Sequence, residues 1–170
     1  PPKGHDSITI STRLLKNKIH INFDSKELTA SSGYKLNDIL SFILNHNFII
    51  NALPGTGDVS LGGAIANNVH GKDSWNVGNF NNNIVSLLAC DRKGFIHNLG
   101  IEEINKQRLI LGVDLIILEA TLKLQKKSNL YIKHTEISFD NIENGIDLLI
   151  DSRANYDFLV GWVDCFNLKN

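Results

Sequence analysis

Residues 53 to 73 read LPGTGDVSLGGAIANNVHGKD, and no other run in the chain limits the fold as tightly. It holds a Pro54-Gly55 turn, further glycines at 57, 62 and 63, an Ala/Ile-rich turn of helix, and then His70-Gly71-Lys72. Glycine has no Cβ, so backbone N–H groups there can approach a ligand closely. Oriented N–H groups beside a helix start form an anion cradle. The His and Lys just beyond would face the reactive end of whatever carries the phosphates. The plainer alternative is a glycine-rich surface loop. Spacing excludes two other phosphate motifs. A dinucleotide fingerprint G-x-G-x-x-G would start at Gly55 and Gly57 but finds Ser60 in third place. A G-x-x-x-x-G-K-[ST] loop would need glycine at Ala66 and a hydroxyl residue at Asp73.

Length and charge narrow the function classes. The chain has 170 residues, one domain's worth at ~100–200 residues per domain. Net charge is −1 and no run of five basic residues occurs, so nothing marks a nucleic-acid surface. Apolar runs such as LIIL at 115–118 fall far short of the ~20 residues a bilayer span needs. No apolar segment follows Pro1-Pro2-Lys3-Gly4, so no signal peptide is expected. Cys90 and Cys165 fit no metal spacing and read as reduced core thiols of a cytoplasmic chain, with a peripheral membrane location left open. His5, His20, His46, His70, His97 and His134 are scattered, and no metal site is expected.

Periodicity sets the elements. Strands are expected at Ser7 to Thr12, at Lys18 to Phe23 with Ile19, Ile21 and Phe23 on one face, and at Glu27 to Ser31. Ile39, Leu40, Ile43 and Leu44 predict a helix capped by Asn37, with Leu36 as a staple. A brief strand over Phe48 to Asn51 leads into the glycine-rich run, where Ser60 caps a short helix from Gly63 to Asn68. Ile84 to Cys90 and Phe95 to Leu99 form a hairpin, and Leu115 to Leu124 a long apolar strand. Further strands are expected at Tyr131 to Glu136 and Phe158 to Asp164, around a helix near 139–151 capped by Asn141. Short strands mixed with short helices, without a βαβ repeat, indicate an α+β fold. The polar run Gln125 to Asn129 is the expected boundary between a first domain, 1–126, and a second segment, 127–170.

The central run resembles the FAD-binding domain of the vanillyl-alcohol-oxidase type, also called the PCMH-type domain. Within it, the chain is most similar to sugar oxidases related to decaprenylphosphoryl-ribose oxidase and, more distantly, to aldonolactone and alditol oxidases. Their pattern LPGT-x-x-V-[ST]-[VL]-GGAIA-x-x-[IV]-HGK is met from Leu53 through Lys72. A following G-[SN]-F-G-x-x-[IV]-x-S segment is met by Gly78, Asn79, Phe80, Ile84 and Ser86, with Asn81 in place of a glycine. The likeness extends upstream through 10–40 and downstream through 116–124 and 161–167.

The resemblance implies a PCMH-type FAD-binding domain, incomplete at its N-terminus and followed by the start of a substrate domain. It implies an oxidoreductase that oxidises an alcohol carbon of a sugar, polyol or aldonolactone, with hydride passing to flavin N5. The cofactor-binding set is Pro54, Gly55, Thr56, Ser60, Gly62, Gly63, Ala66, His70 and Gly71, and the pyrophosphate falls to Gly55, Thr56, Ser60 and Gly63. His70 and Lys72 are candidates for the flavin and substrate side, and Trp75 either covers the ring or packs. The family's upstream loop of the form GRGRSYGD, which carries the covalent His in some relatives, is absent, so FAD is expected to be held non-covalently. Of a glycine-rich segment expected at 103–117 only Gly112 remains, with Asp114 where a small residue is usual. The family's catalytic residues fall beyond Asn170. The chain alone is therefore expected to be incomplete as an enzyme, to bind FAD weakly, and to self-associate or need a complementary segment. The second class kept open is a non-catalytic remnant acting as an interaction module.

Overall fold

The computed structural model describes residues 10–106 and 111–164. Its centre is an antiparallel five-stranded sheet in the order β1-β2-β6-β4-β5. The strands are β1 (Ile19–Asn22), β2 (Glu27–Ser31), β4 (Ile84–Asp91), β5 (Ile96–Gly100) and β6 (Leu115–Lys123). The register places Leu28 opposite Leu122, and Ala120 between Ala30 and Leu87. Because side chains alternate across a strand, these residues all fall on one face. That face packs on α1 (Leu36–Leu44) and α2 (Leu61–Ala66) through Leu36, Ile39, Ile43, Leu61, Ala64 and Ile65, all buried. Burying each such large side chain stabilises the fold by about 1.5–3 kcal/mol. The opposite face carries polar pairs, Thr29 with Thr121 at 3.0 Å and Lys18 with Glu119 at 2.7 Å.

A second, two-stranded pair anchors the entry to the glycine-rich run. Strand β3 (Phe48–Ile49) pairs antiparallel with β7 (Gln125–Lys126). The Lys126 ammonium donates to the His46 carbonyl at 2.7 Å and lies 4.6 Å from the centre of the Phe48 ring. The polar run expected as a boundary thus begins as a strand, with Gln125–Lys126 paired to Phe48–Ile49. Helix α4 (Ile101–Lys106) follows β5, and α5 (Ile142–Asp151) lies in the trailing segment.

Several expectations hold. β2, the β4–β5 hairpin, β6 and α5 lie where the periodicity puts them, and Asn141 Oδ1 caps α5 by accepting from the Asn144 N–H at 2.8 Å. Others need correction. Asn37 is not the cap of α1; Lys35 is, with an extended backbone bridged to Ser60. The Asp38 carboxylate accepts the Lys35 N–H at 3.4 Å, and Leu36 is the first helical residue rather than a flanking staple. Helix α2 starts two residues early, because the Tyr34 and Ser32 carbonyls take the Leu61 and Gly62 N–H groups. Phe23 sits in a turn, not on the β1 face, with its ring 5.3 Å from His46 and 6.1 Å from Phe48.

The segments 131–136 and 158–164 are not strands. Alternation alone does not close a ladder, and the Leu159 N–H donates instead to the Lys72 carbonyl at 3.0 Å. Leu130, Tyr131, Ile132, Phe158, Val160 and Trp162 are consequently exposed. Of the strand expected at Ser7 to Thr12, residues 7–9 lie outside the described residues, and 10–12 form no strand. His5 and Cys165 also lie outside them. Cys90 is a free thiol but only half-buried, on β4 rather than within the core. No helix of the described residues is long and apolar enough to cross a membrane.

Candidate functional site

The glycine-rich run leaves β3 through a bend at Ala52, which is fully buried and has a φ of 55°. From there to Gly57 the chain is a loop, and α1 holds its far side. The Gly57 and Val59 carbonyls accept the first N–H groups of α1, from Asn37 and Leu36, at 3.0 Å each. Those two groups have no partner within a helix, so the loop satisfies them and is fixed in return. A Cβ at Gly57 would collide with the Asn37 side chain, so that glycine is set by close packing.

Helix α2 continues from Ser60, whose hydroxyl accepts the Gly63 N–H at 3.2 Å. The Leu61 N–H goes to the Tyr34 carbonyl at 2.8 Å, the Gly62 N–H to that of Ser32 at 2.9 Å, and the Ala64 N–H to that of Ser60 at 2.8 Å. The opening turn of this helix therefore spends its donors inside the protein. A Cβ at Gly62 would lie 3.0 Å from that of Ser32, and one at Gly63 3.1 Å from the Ser60 hydroxyl. The N–H groups of Gly55, Thr56 and Gly57 are different: they find no partner among the described residues. Gly55 and Thr56 are exposed, and a Cβ at Gly55 would meet nothing within 4 Å. Gly57 was not singled out from the sequence, because a free N–H is a property of the folded loop.

The run closes on itself. Gly71 lies against the loop's first peptides, so a Cβ there would fall 2.7 Å from the Leu53 carbonyl oxygen and 2.8 Å from the Ala52 carbonyl carbon. The Gly71 N–H donates to Ser74 Oγ at 2.8 Å, and its carbonyl accepts from the Ser74 N–H at 3.2 Å. His70 and Lys72, both exposed, are thereby carried on a tight turn whose Gly71 lies against the Ala52 and Leu53 peptides. Trp75 follows on α3 (Ser74–Val77) and is 38% exposed. Ala66 stands apart from this group at the end of α2. It faces Gly112, where a φ of +80° and a Cβ only 2.6 Å from that of Ala66 both demand glycine. A cleft of about 370 Å³ runs there, lined by Ala66, Asn68, Asn81, Ile104 and Leu111 among others, and it includes no other member of the expected set. Asn81, in the place of a family glycine, has no positive φ; its side chain donates to the Ile65 carbonyl at 3.0 Å.

The free donors suit an anion. The nearest acid in the loop, Asp58, pairs with Lys35 at 2.9 Å. The other acid at the start of α1, Asp38, pairs with Lys16 at 3.2 Å, and the hydrogen bond from that ammonium holds its carboxyl below the ordinary value. Residues 55–57 offer three backbone N–H groups without a partner, the Thr56 hydroxyl, which also accepts the Asp58 N–H at 3.3 Å, and no unpaired carboxylate, a donor set that fits a pyrophosphate. Two buried polar residues went unnoticed in the sequence, Asp73 and Asn83, which bond to residues 21 and 32 positions away. Among the described residues no group of three or more His, Cys, Asp or Glu could hold a metal ion.

Comparison with known proteins supplies the family. The sequence family described as "FAD binding domain" matches residues 2–100. The chain is 27% identical over 162 residues to decaprenylphosphoryl-beta-D-ribose oxidase of Mycolicibacterium smegmatis, which covers 89% of this chain and 34% of that protein. It is 26% identical over 169 residues to L-gulonolactone oxidase 3 of Arabidopsis thaliana, covering 92% of this chain and 28% of that one. A probable L-gulonolactone oxidase 1 of the same plant is 23% identical over 150 residues, covering 80% and 25%. The chain thus spans about a quarter to a third of the length of these relatives.

Proposed function

This chain belongs to the FAD binding domain family, and from that premise we propose that the segment 53–72 holds the FAD pyrophosphate in a flavin-dependent oxidoreductase. The observation that carries this reading is the set of three free N–H groups at Gly55, Thr56 and Gly57, in a loop whose first peptides lie against Gly71 between the exposed His70 and Lys72. Backbone donors stabilise a doubly charged pyrophosphate without a cation, and the fixed loop loses little freedom on binding. In this assignment Pro54 and Gly55 shape the approach, while Thr56 and Ser60 add hydroxyls. Gly62 and Gly63 let α2 pack against Ser32 and the Ser60 cap, Ala66 lies apart from the loop against Gly112, and Gly71 holds His70 and Lys72 forward. The Lys72 ammonium then stabilises negative charge on the cofactor side or orients a substrate hydroxyl. Bound FAD would supply the two-electron step, accepting hydride from the substrate carbon.

The relatives support the reaction class, two of them being named decaprenylphosphoryl-beta-D-ribose oxidase and L-gulonolactone oxidase 3. We assign this chain an alcohol carbon of a sugar, polyol or aldonolactone as the site of oxidation, with FAD held non-covalently. Residues 1–126 form the cofactor-binding core in this reading, and 127–170 begin a substrate domain. The exposed apolar side chains of 130–163 favour a second role for that segment, as a surface for association.

A titration of the full chain with FAD and, separately, with riboflavin tests the assignment. Both carry the isoalloxazine, and only FAD carries the pyrophosphate. Binding of FAD well above that of riboflavin supports the loop as the phosphate site; equal binding removes it.

A further inference from the structure

Two buried polar side chains grip a single peptide unit at the root of the loop. The peptide between Asn51 and Ala52 has its carbonyl bonded by Asn83 Nδ2 at 3.1 Å and its N–H bonded to Asp73 Oδ2 at 2.9 Å. Asp73 and Asn83 are 6% and 7% exposed. One is the last residue of the glycine-rich run and the other comes from the 3-10 turn Phe80–Asn83 ahead of β4. Asn83 Nδ2 also donates to the Phe80 carbonyl at 2.8 Å, so it is held from its own side. Ala52, next after the gripped peptide, lies in the left-handed region at φ 55°. A residue with a Cβ stays there only when its surroundings fix it.

The same carboxylate has a second contact. Asp73 Oδ1 is buried and has no hydrogen-bond partner. It lies against Gly71, where a Cβ would come within 2.5 Å of it. Asp73 therefore touches the first bend of the segment with one oxygen and its last glycine with the other.

We propose that Asp73, with Asn83, is the positioning residue of the segment 53–72. By fixing the Asn51–Ala52 peptide it sets the left-handed bend, and with it the direction of the Gly55, Thr56 and Gly57 N–H groups. By lying under Gly71 it sets how far His70 and Lys72 stand from those donors. It acts through the backbone and touches no ligand. Its functional consequence rests on the FAD reading above; the clamp itself belongs to the free chain.

The test compares Asp73→Ala, Asp73→Asn and a remote core control, Ile117→Val, in the full chain. Amide hydrogen exchange is read first without ligand, and FAD affinity and the absorption spectrum of bound FAD second. Asparagine keeps an oxygen for the Ala52 N–H and turns an NH2 donor toward the orphan position. Asp73→Ala should speed exchange at Ala52, Gly71, Leu36 and Asn37, whose N–H groups bond to Asp73, to Ser74 and to the Val59 and Gly57 carbonyls, by about tenfold or more, while the amides of β4 and β6 change no more than in the control. It should weaken FAD by about tenfold or more and shift the bound-flavin spectrum. Asp73→Asn should restore all three. A merely structural role would speed exchange in sheet and loop together and leave FAD affinity of the folded protein unchanged. Should Asp73→Ala not fold, Asn83→Ala removes the other grip and carries the same exchange test. Unaltered exchange at Ala52, Gly71, Leu36 and Asn37, or Asp73→Asn as damaging as Asp73→Ala, overturns the clamp. FAD bound equally by wild type and Asp73→Ala overturns the positioning role. Exchange as expected with no FAD binding by the wild type upholds the clamp and removes the FAD reading.

Discussion

Gly55→Ala separates the ligand contact from the fold. A Cβ at Gly55 meets nothing within 4 Å, and the residue is exposed with no positive φ. Alanine is therefore accepted without strain, and by restricting the unfolded chain it adds about 0.4–1 kcal/mol of stability. At roughly 2–4 °C per kcal/mol for a chain of this size, Tm should rise by about 1–4 °C. The same methyl group stands beside the free N–H groups that the pyrophosphate would use. Each hydrogen bond lost to a charged phosphate costs about 1.5–3 kcal/mol, which weakens FAD by roughly 10- to 150-fold. Calorimetry reads the first quantity and a fluorescence titration with FAD the second. An unchanged affinity in a variant that melts no lower would show that the 55–57 donors are not the ligand contact. A Tm lowered by several degrees would show that Gly55 is packed, and the reasoning from open space would fail.

Gly71→Ala should behave in the opposite way: its Cβ meets the backbone of Leu53 and Ala52 at 2.7 and 2.8 Å, so overpacking should cost about 1–3 kcal/mol, and a melting temperature equal to wild type would contradict the contact. The His97 side chain, then the Phe95 and Lys93 N–H groups, hold the Asp91 carboxyl below its ordinary value of 3.8. Because the folded value is lowered, this support for the β4–β5 turn is complete above the ordinary value and is lost as pH falls through the lowered one. Protection of the Lys93 and Phe95 amides, relative to their intrinsic exchange at each pH, should fall on that descent, and pH-independent protection would refute it. Acid precipitation of the FAD-loaded chain should leave all flavin in the supernatant; a yellow pellet would mean a covalent link. The exposed Tyr131, Ile132, Ile146 and Trp162 should drive association of the full chain, reduced in Ile146→Glu and Trp162→Glu; sedimentation as a monomer at all concentrations would refute this.

The parts of the fold legible in the sequence are those whose partners carry complementary patterns. Leu28 and Ala30 alternate on β2 because Leu122 and Ala120 face them on β6, and Ser60 caps α2 through a bond three residues long. The trailing segment shows the limit of that logic. Residues 131–136 and 158–164 alternate as strands do, yet alternation names a face and not a neighbour. The cap of α1 was misplaced because Lys35 is a poor capping residue by type. Its extended backbone comes from the bridge to Ser60, which is 25 positions on in the sequence and adjacent only in the fold. In the site, the glycines were visible as residues, but their reasons were not. Gly62 and Gly71 are glycines because Ser32 and the Leu53 peptide lie against them, and Gly55 stands in open space. Asp73 and Asn83 gave no local signal, since each acts on a peptide far away in sequence.

The central claim is that the Gly55, Thr56 and Gly57 N–H groups receive the FAD pyrophosphate. Amide chemical shifts of the isotope-labelled full chain during addition of FAD test it most directly, and they register weak binding as well as strong. The account predicts that the amide protons of these three residues move furthest downfield, as charge-assisted hydrogen bonds form, with smaller movements at His70 and Lys72 and none on the polar face of the sheet at Thr29 and Thr121. Saturating shifts centred elsewhere, with the 55–57 amides unmoved, would contradict it.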